Sequence, residues 1–168
     1  MASGAHRTPW PRSWGPSRQG LDAVAATAQW HIRPIGALDL LPADHRAQLH
    51  ALTRRPTPEA GGILNVAIGY DGRADILAAV QELLHEPDVA VADDGVEARL
   101  ERCLSTAGQP DIDLVIRTSG EQRLSGFMPW QTAYAEIYFT PVLWPDFAAD
   151  DFTAALDFYR TRQRRWGT

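Results

Sequence analysis

The sequence predicts an α/β fold with a mainly parallel sheet flanked by helices. Two compact apolar runs, ILNVAIGY at 63–70 and DLVIRT at 113–118, are typical of buried strands in such sheets. Strand-like and helix-like segments alternate from Trp30 onward in the order β-α-β-α-α-β-β-α, which favours parallel pairing. The length of 168 residues predicts one domain that can bury a core without disulfides or metals.

The first half of the predicted domain has two strands and two helices. The strand WHIRPIG ends at Gly36, and Pro42 is suited to start the helix PADHRAQLHALTRR. The strand at 63–70 is followed by Asp71, which is placed to cap the next helix. In that helix the apolar residues recur at the spacing of one helical face. They are Ile76, Leu77, Val80, Leu83 and Leu84.

The second half adds a weaker helix at 96–104, the strand at 113–118, the strand EIYFT at 136–140 and a last helix from about Asp150 to Arg164. The residues of the last helix that should face inward are Phe152, Ala155, Leu156 and Tyr159. Residues 1–29 contrast with these elements, because they are rich in Pro, Gly, Ser and Arg and show no period. We therefore predict a disordered or unrelated segment at 1–29 and a domain at 30–168.

Composition and charge argue against several classes of function. The net charge of −5 disfavours nonspecific nucleic-acid binding, which needs a basic surface. No apolar run approaches the roughly 18 residues of a membrane helix, and no signal-peptide pattern follows Met1. Cys103 is the only cysteine, so no internal disulfide can form and a cytoplasmic location is predicted. A catalytic role for Cys103 is the alternative, but the neighbouring sequence ARLERCLST supplies no obvious base.

The loop that follows Ile116 is the strongest candidate for ligand binding, because parallel sheets bind ligands beyond the carboxyl ends of their strands. Its polar and flexible residues are Arg117, Ser119, Gly120, Arg123 and Ser125. Arginine binds phosphate through paired hydrogen bonds, and glycine lets backbone N–H groups approach an anion. The spacing therefore suits a phosphate or diphosphate, although no P-loop consensus is present. In the structural alternative, Arg117 pairs with Glu121 or Asp113 and Arg123 is merely solvated.

Two other turns and one carboxylate are predicted at the same edge of the sheet. The turns are the loop after Gly36 and the segment YDGR at 70–73. Glu136 opens the strand after the candidate loop, and its carboxylate could reach the same ligand. Mg²⁺ uses one or two carboxylates together with phosphate oxygens and waters, so Glu136 is the candidate metal ligand. The alternative is a glutamate that caps or solvates the end of a strand.

Residues 117–136, RTSGEQRLSGFMPWQTAYAE, contain the pattern R-x-S-G-E-x-R-x-S-x-F followed by W-Q, Y and E. The segment DLVI before this pattern and the segments YF and VLWPDF after it extend it, and LNVA with YDGR lies upstream. In these segments the chain resembles the cis-prenyltransferases, the family of undecaprenyl diphosphate synthase. The resemblance runs from about Trp30 to the C-terminus and covers roughly the C-terminal two-thirds of a member of that family.

The resemblance implies a transferase that condenses isopentenyl diphosphate with an allylic prenyl diphosphate and forms a cis double bond. The residues implied to bind the diphosphate of isopentenyl diphosphate are Arg117, Arg123, Leu124 and Ser125. Glu121 is implied to orient the arginines, and Glu136 is implied to bind Mg²⁺. Three aromatic residues are expected to pack a short helix under the loop: Phe127, Trp130 and Tyr134.

The resemblance also implies a dimer, either with a second copy or with a homologue. Arg165-Trp166-Gly167 is similar to a C-terminal motif of the family that reaches across the dimer interface, so Arg165 and Gly167 are implied to support the partner's phosphate site. A basic helix end favoured by the helix dipole is the alternative reading of these residues. The lipid product implies peripheral contact with a membrane.

One part of the family's sequence is not found in these 168 residues. It is a loop like Asp-Gly-Asn-Gly-Arg-Trp, which supplies the essential aspartate and the cradle for the allylic diphosphate, so no catalytic residue is assigned. We expect a gene start that is truncated or misread. The alternatives are a remnant and a non-catalytic partner subunit of a cis-prenyltransferase dimer. A generic phosphate-binding protein such as a phosphatase is a further class, and no nucleophile supports it.

Overall fold

The structure is a computed structural model that describes residues 15–27, 29–54, 61–85 and 95–162. The chain divides into two compact units, Met1–Tyr70 and Asp71–Thr168, and each is described by itself. None of the described helices has the length and apolar content that are needed to cross a membrane.

The first unit contains two helices and one pair of strands. Its elements are α1 (Gly15–Ala26), β1 (Trp30–Gly36), a 3₁₀ turn (Leu38–Leu40), α2 (Ala43–Thr53) and β2 (Gly62–Ile68). β1 and β2 pair in parallel, with Trp30 opposite Gly62 and Gly36 opposite Ile68. The buried cluster of this unit is formed by Leu41, Leu49 and Ile68, and Leu21 of α1 packs against it.

The second unit contains three helices and a second pair of strands. Its elements are α3 (Gly72–His85), α4 (Gly95–Cys103), β3 (Leu114–Arg117), β4 (Glu136–Phe139), a 3₁₀ turn (Trp144–Asp146) and α5 (Ala149–Thr161). β3 and β4 are parallel, with Leu114 opposite Glu136 and Arg117 opposite Phe139. Ala79, Leu100 and Leu104 form the buried cluster, against which Cys103 packs. This packing gives Cys103 a structural role.

The element order predicted from Trp30 onward is confirmed, and so is the parallel pairing of strands. Two features differ from the prediction. The described residues form two separate two-stranded sheets, whereas one sheet was expected. In addition, residues 15–26 form α1, although the sequence there shows no clear period. The burial of Ala25 and the packing of Leu21 explain this helix, because tertiary contacts stabilise a helix that propensity alone does not.

The prediction for the apolar face of α3 was wrong at two positions. Leu77 and Leu84 are 61% and 78% exposed, whereas Ile76 and Val80 pack against the buried cluster. The side of α3 that contacts the cluster is narrower than the five predicted residues would make it. Its centre is the small side chain of Ala79, which is 1% exposed. Leu77 and Leu84 lie beside this stripe and turn towards solvent.

Replacing Leu77 by glutamine is therefore expected to change the free energy of unfolding by no more than about 0.5 kcal/mol, because an exposed side chain loses few contacts. Urea denaturation measures the difference. Leu83→Gln is the matched control, since the same substitution at a half-buried position of α3 should destabilise the protein clearly more. Equal losses for the two variants would contradict the observed orientation of the helix.

Two further predictions for the second unit need correction, one for α5 and one for the segment between β3 and β4. In α5, Ala155 is fully buried as expected, but Phe152 is 48% exposed and Phe158 packs against Tyr138 of β4. The segment between β3 and β4 consists of turns, and no helix forms there. Phe127 and Tyr134 are exposed, so only Trp130 of the three aromatic residues joins the buried cluster.

Candidate diphosphate-binding site

The loop after β3 begins as a continuation of the sheet. The Arg117 carbonyl accepts a hydrogen bond from the Thr140 amide at 2.9 Å. The Gly120 and Ser119 amides then donate to the carbonyls of Thr140 and Val142, at 2.9 and 2.8 Å. These bonds fix the point at which Arg117 leaves the strand, at the carboxyl end where parallel sheets bind ligands.

The backbone of this loop adopts left-handed conformations at several positions. The residues with positive φ are Ser119 (72°), Gly120 (70°), Ser125 (51°), Gly126 (78°) and Met128 (47°). Such conformations cost about 1–3 kcal/mol at a residue other than glycine and cluster in functional loops.

The far end of the loop is attached to the start of α3. The Gly72 amide donates to the Gly126 carbonyl at 3.0 Å. The Asp71 carboxylate caps α3 as predicted, because its Oδ1 accepts from the amides of Arg73 and Ala74 at 2.9 and 3.0 Å. A Cβ at Gly72 would overlap Pro129 and lie 2.6 Å from the Gly126 oxygen, so this contact requires glycine. The positive end of the α3 dipole therefore lies beside the loop.

Arg117 has an unsatisfied polar atom at the base of the loop. Its Nε is buried and has no hydrogen-bond partner among the described residues. Glu121, one of the two carboxylates considered as partners of Arg117, pairs with Arg123 instead. A buried donor without a partner costs roughly 1–3 kcal/mol, and an anion at the mouth of the loop would remove part of that cost.

Arg123 and Ser125 lie further out on the same loop. The Arg123 side chain is 66% exposed and forms an ion pair with Glu121, which is consistent with an orienting role for Glu121. Ser125 is exposed as well. Leu124 instead contributes to the wall of a mainly apolar cavity of about 320 Å³ that Arg117 also lines. The other lining residues are Ile112, Leu114, Val115, Ile116 and Phe127.

Glu136 does not lie with these residues. The register places it level with Leu114, three residues before the level of Arg117, which is about 10 Å along the strand. Side chains alternate between the faces of a strand, so Glu136 and Tyr138 share one face while Arg117 points to the other. The Glu136 carboxylate pairs with Arg162, with Oε2 at 3.3 Å from Nε. The register thus sets Glu136 level with the start of β3 and the Arg117 loop at its end, and a ligand shared by the two stays a prediction.

No group of three or more His, Cys, Asp or Glu side chains capable of holding a metal occurs in 15–27, 29–54, 61–85 or 95–162. Arg165 and Gly167 lie outside the described residues.

Sequence reasoning missed two parts of this region. The bond between Gly72 and Gly126 has a faint sequence signal, since glycine is a poor choice for a first helical turn unless something approaches it closely. The contact of Arg162 with Glu136 has no sequence signal, because the two residues are 26 positions apart and nothing in the spacing links them.

Comparison with known proteins agrees with this geometry. Residues 17–167 match the family model described as "Putative undecaprenyl diphosphate synthase". Isoprenyl transferase 1 of Streptomyces avermitilis is 45% identical over 150 residues, which are 86% of this chain and 58% of the relative. Short-chain Z-isoprenyl diphosphate synthase of Mycobacterium leprae is 45% identical over 152 residues, 87% of this chain and 58% of the relative.

A solved structure supports the same assignment. Lavandulyl diphosphate synthase from Lavandula x intermedia, in complex with dimethylallyl diphosphate, superposes with a TM-score of 0.73 and 34% identity, covering 86% of this chain and 63% of that one. The chain spans somewhat under three-fifths of the length of the curated relatives that it matches. The extent of these matches shows that the chain belongs to the undecaprenyl diphosphate synthase family of prenyltransferases.

Proposed function

We propose that this chain provides the isopentenyl diphosphate half of a cis-prenyltransferase active site. The observation that carries the proposal is the buried, unpartnered Nε of Arg117 at the carboxyl end of β3, beside a loop rich in left-handed residues. Arg123 adds a positive charge and Ser125 a hydroxyl donor to the same loop. Together these groups suit a diphosphate.

The proposed reaction joins isopentenyl diphosphate to an allylic prenyl diphosphate and leaves a cis double bond. The names of the relatives support it, since one is a short-chain Z-isoprenyl diphosphate synthase and another was solved with dimethylallyl diphosphate. In this reaction the chain would neutralise the charge of the diphosphate and hold isopentenyl diphosphate in the orientation that the reaction needs. The cavity of about 320 Å³ beside Arg117 has room for the five-carbon isopentenyl tail.

The remaining parts of the proposal concern the metal, the assembly and the location. Mg²⁺ is the proposed cofactor, because it binds diphosphate oxygens together with few carboxylates, and Glu136 is its proposed protein ligand. The proposed assembly is a dimer with a second copy or a homologue, to which Arg165 and Gly167 contribute. A cytoplasmic location with peripheral membrane contact through the lipid product completes the proposal.

Replacing Arg123 by alanine is expected to weaken the binding of isopentenyl diphosphate about tenfold. Arg123 is exposed to solvent and also pairs with Glu121, so its contact with the ligand is partly screened. Loss of such a charge-assisted contact should reduce the binding free energy by about 1.4 kcal/mol. Titration calorimetry measures the affinity. The same variant, incubated with Mg²⁺, isopentenyl diphosphate and a geranyl or farnesyl primer, should form less of the longer prenyl product than the unaltered chain forms.

Arg160→Ala is the matched control, because Arg160 is equally exposed and pairs with Asp157 on α5, away from the loop. It should leave the affinity unchanged. Unaltered affinity in Arg123→Ala, or failure of the unaltered chain to bind isopentenyl diphosphate at all, would contradict the proposed function. Binding without product formation would favour the non-catalytic partner subunit.

A further inference from the structure

A second cavity of the same unit, which we call the α4 cavity, lies apart from the diphosphate loop. It has a volume of about 430 Å³ and is lined by residues of α4, by the segment 104–111 that leads towards β3, and by Trp130 and Gln131. Among the described residues it shares no lining residue with the cavity beside Arg117. Its volume lies in the range of roughly 300–1,000 Å³ that is usual for ligand pockets, and the proposed reaction gives it no task.

The buried part of the lining contains an amide that lacks one hydrogen bond. Gln131 is 5% exposed, and its Nε2 donates to Thr106 Oγ1 at 2.7 Å. Its Oε1 is buried and has no hydrogen-bond partner among the described residues. Such an acceptor is unfavourable in a folded protein and rare in native structures. Because Gln131 lines the α4 cavity, a molecule that binds there can supply the missing donor.

The exposed part of the lining has an excess of negative charge. Glu101 and Asp111 are exposed carboxylates, and Arg102 is the only basic residue among the lining residues that the structure describes. Glu101 Oε1 accepts from Trp130 Nε1 at 3.5 Å, a long hydrogen bond that leaves most of the accepting capacity of the carboxylate for a ligand. The two carboxylates repel an organic anion and attract a cation.

Trp130 provides an aromatic surface in the same cavity. Its half-buried side chain packs against the buried cluster of Ala79, Leu100 and Leu104, which holds the indole ring in place. A cation over the face of a tryptophan is attracted by the ring, and planar cations also stack on it. A buried acceptor, two carboxylates and a fixed indole thus require a ligand with N–H donors, positive charge and a flat shape.

We infer that the α4 cavity binds a small planar organic cation, an amidinium or a guanidinium with an apolar body. Its N–H groups donate to Gln131 and to the carboxylates, and its plane contacts Trp130. The inference does not depend on the proposed function, because it requires neither a diphosphate nor a metal.

The test compares three probes of nearly the same shape, which are benzamidine, its neutral counterpart benzamide and its anionic counterpart benzoate. Each is titrated into the ¹⁵N-labelled full chain, and the indole N–H cross-peaks of the six tryptophans are followed by NMR. The cross-peak that is missing from Trp130→Phe identifies Trp130. We expect benzamidine to shift this cross-peak to saturation, benzamide to bind about tenfold more weakly, and benzoate to leave the cross-peak in place.

Variants of the lining test the individual contacts. Glu101→Gln and Asp111→Asn should each weaken the binding of benzamidine about threefold, as expected for exposed charge pairs. Gln131→Met should weaken it about tenfold, and its circular dichroism spectrum shows whether the fold is retained. Asp157→Asn is the matched control, because it removes an exposed carboxylate of α5 outside the cavity, and it should bind benzamidine like the unaltered chain.

Several outcomes would overturn the inference. A Trp130 cross-peak that does not move with benzamidine would show that the cavity does not take this class of ligand. Benzoate or benzamide binding as tightly as benzamidine would show that charge plays no part. Equal losses in Asp157→Asn and Glu101→Gln would assign the effect to the overall charge of the chain, and unchanged affinity in a folded Gln131→Met would remove the buried amide from the site.

Discussion

Replacing Gly72 by alanine is expected to lower the free energy of unfolding by about 3 kcal/mol, the upper part of the range for overpacking. The added Cβ would overlap the ring of Pro129 and lie 2.6 Å from the Gly126 carbonyl oxygen. Neither neighbour is the end of a flexible side chain, so the loop itself has to move. Movement of Gly126 displaces Ser125, and the binding of isopentenyl diphosphate should weaken together with stability.

Urea denaturation and titration calorimetry measure the two effects of this variant. Gly20→Ala is the control for the substitution itself, because nothing lies within 4 Å of the new Cβ in α1. There the alanine should raise stability by about 0.5–1 kcal/mol, as expected for a helix interior. A Gly72→Ala protein with the stability of the unaltered chain would show that the contact between α3 and the loop is not maintained in solution.

Replacing Arg117 by methionine is expected to weaken the binding of isopentenyl diphosphate about 100-fold. Loss of charge-assisted hydrogen bonds from a partly buried guanidinium removes about 2.7 kcal/mol of binding free energy. Stability should stay constant or rise by about 1 kcal/mol, because methionine keeps the apolar stem and removes the buried Nε without a partner. This combination distinguishes a ligand-binding arginine from a structural one.

Arg160→Met provides the matched control, since the same substitution at an exposed residue of α5 removes only a surface ion pair. Affinity and stability should both remain near the values of the unaltered chain. If Arg117→Met lost several kcal/mol of stability while any change in affinity merely followed from unfolding, Arg117 would be a structural residue, and the diphosphate site would have to lie elsewhere.

The parts of the fold that the sequence predicted are those determined by local pattern. The strands at β2 and β3 are compact apolar runs, and Asp71 carries the side chain that a helix start requires. The position of the Arg117 loop at the carboxyl end of its strand followed from the α/β order alone. These features depend on residues within a few positions of one another.

The parts that could not be predicted depend on long-range contacts. The exposure of Leu77 follows from where α4 packs on α3, which the spacing within α3 does not encode. The level of Glu136 follows from the register between β3 and β4, whose residues are 22 positions apart. The spacing within the motif therefore does not give the three strand positions that separate the level of Glu136 from that of Arg117.

The two attachments of the loop determine how much its length can vary. On one side the amides of Ser119 and Gly120 are bonded to the strand region of Val142 and Thr140, and on the other Gly126 is bonded to Gly72. Residues 121–125 form an arc between two anchored points. An inserted or deleted residue in this arc would change the separation of Arg123 from Arg117, whatever residue it was. We therefore expect substitutions to be tolerated more readily than changes of length in this arc, which makes the arc length a determinant of recognition in its own right.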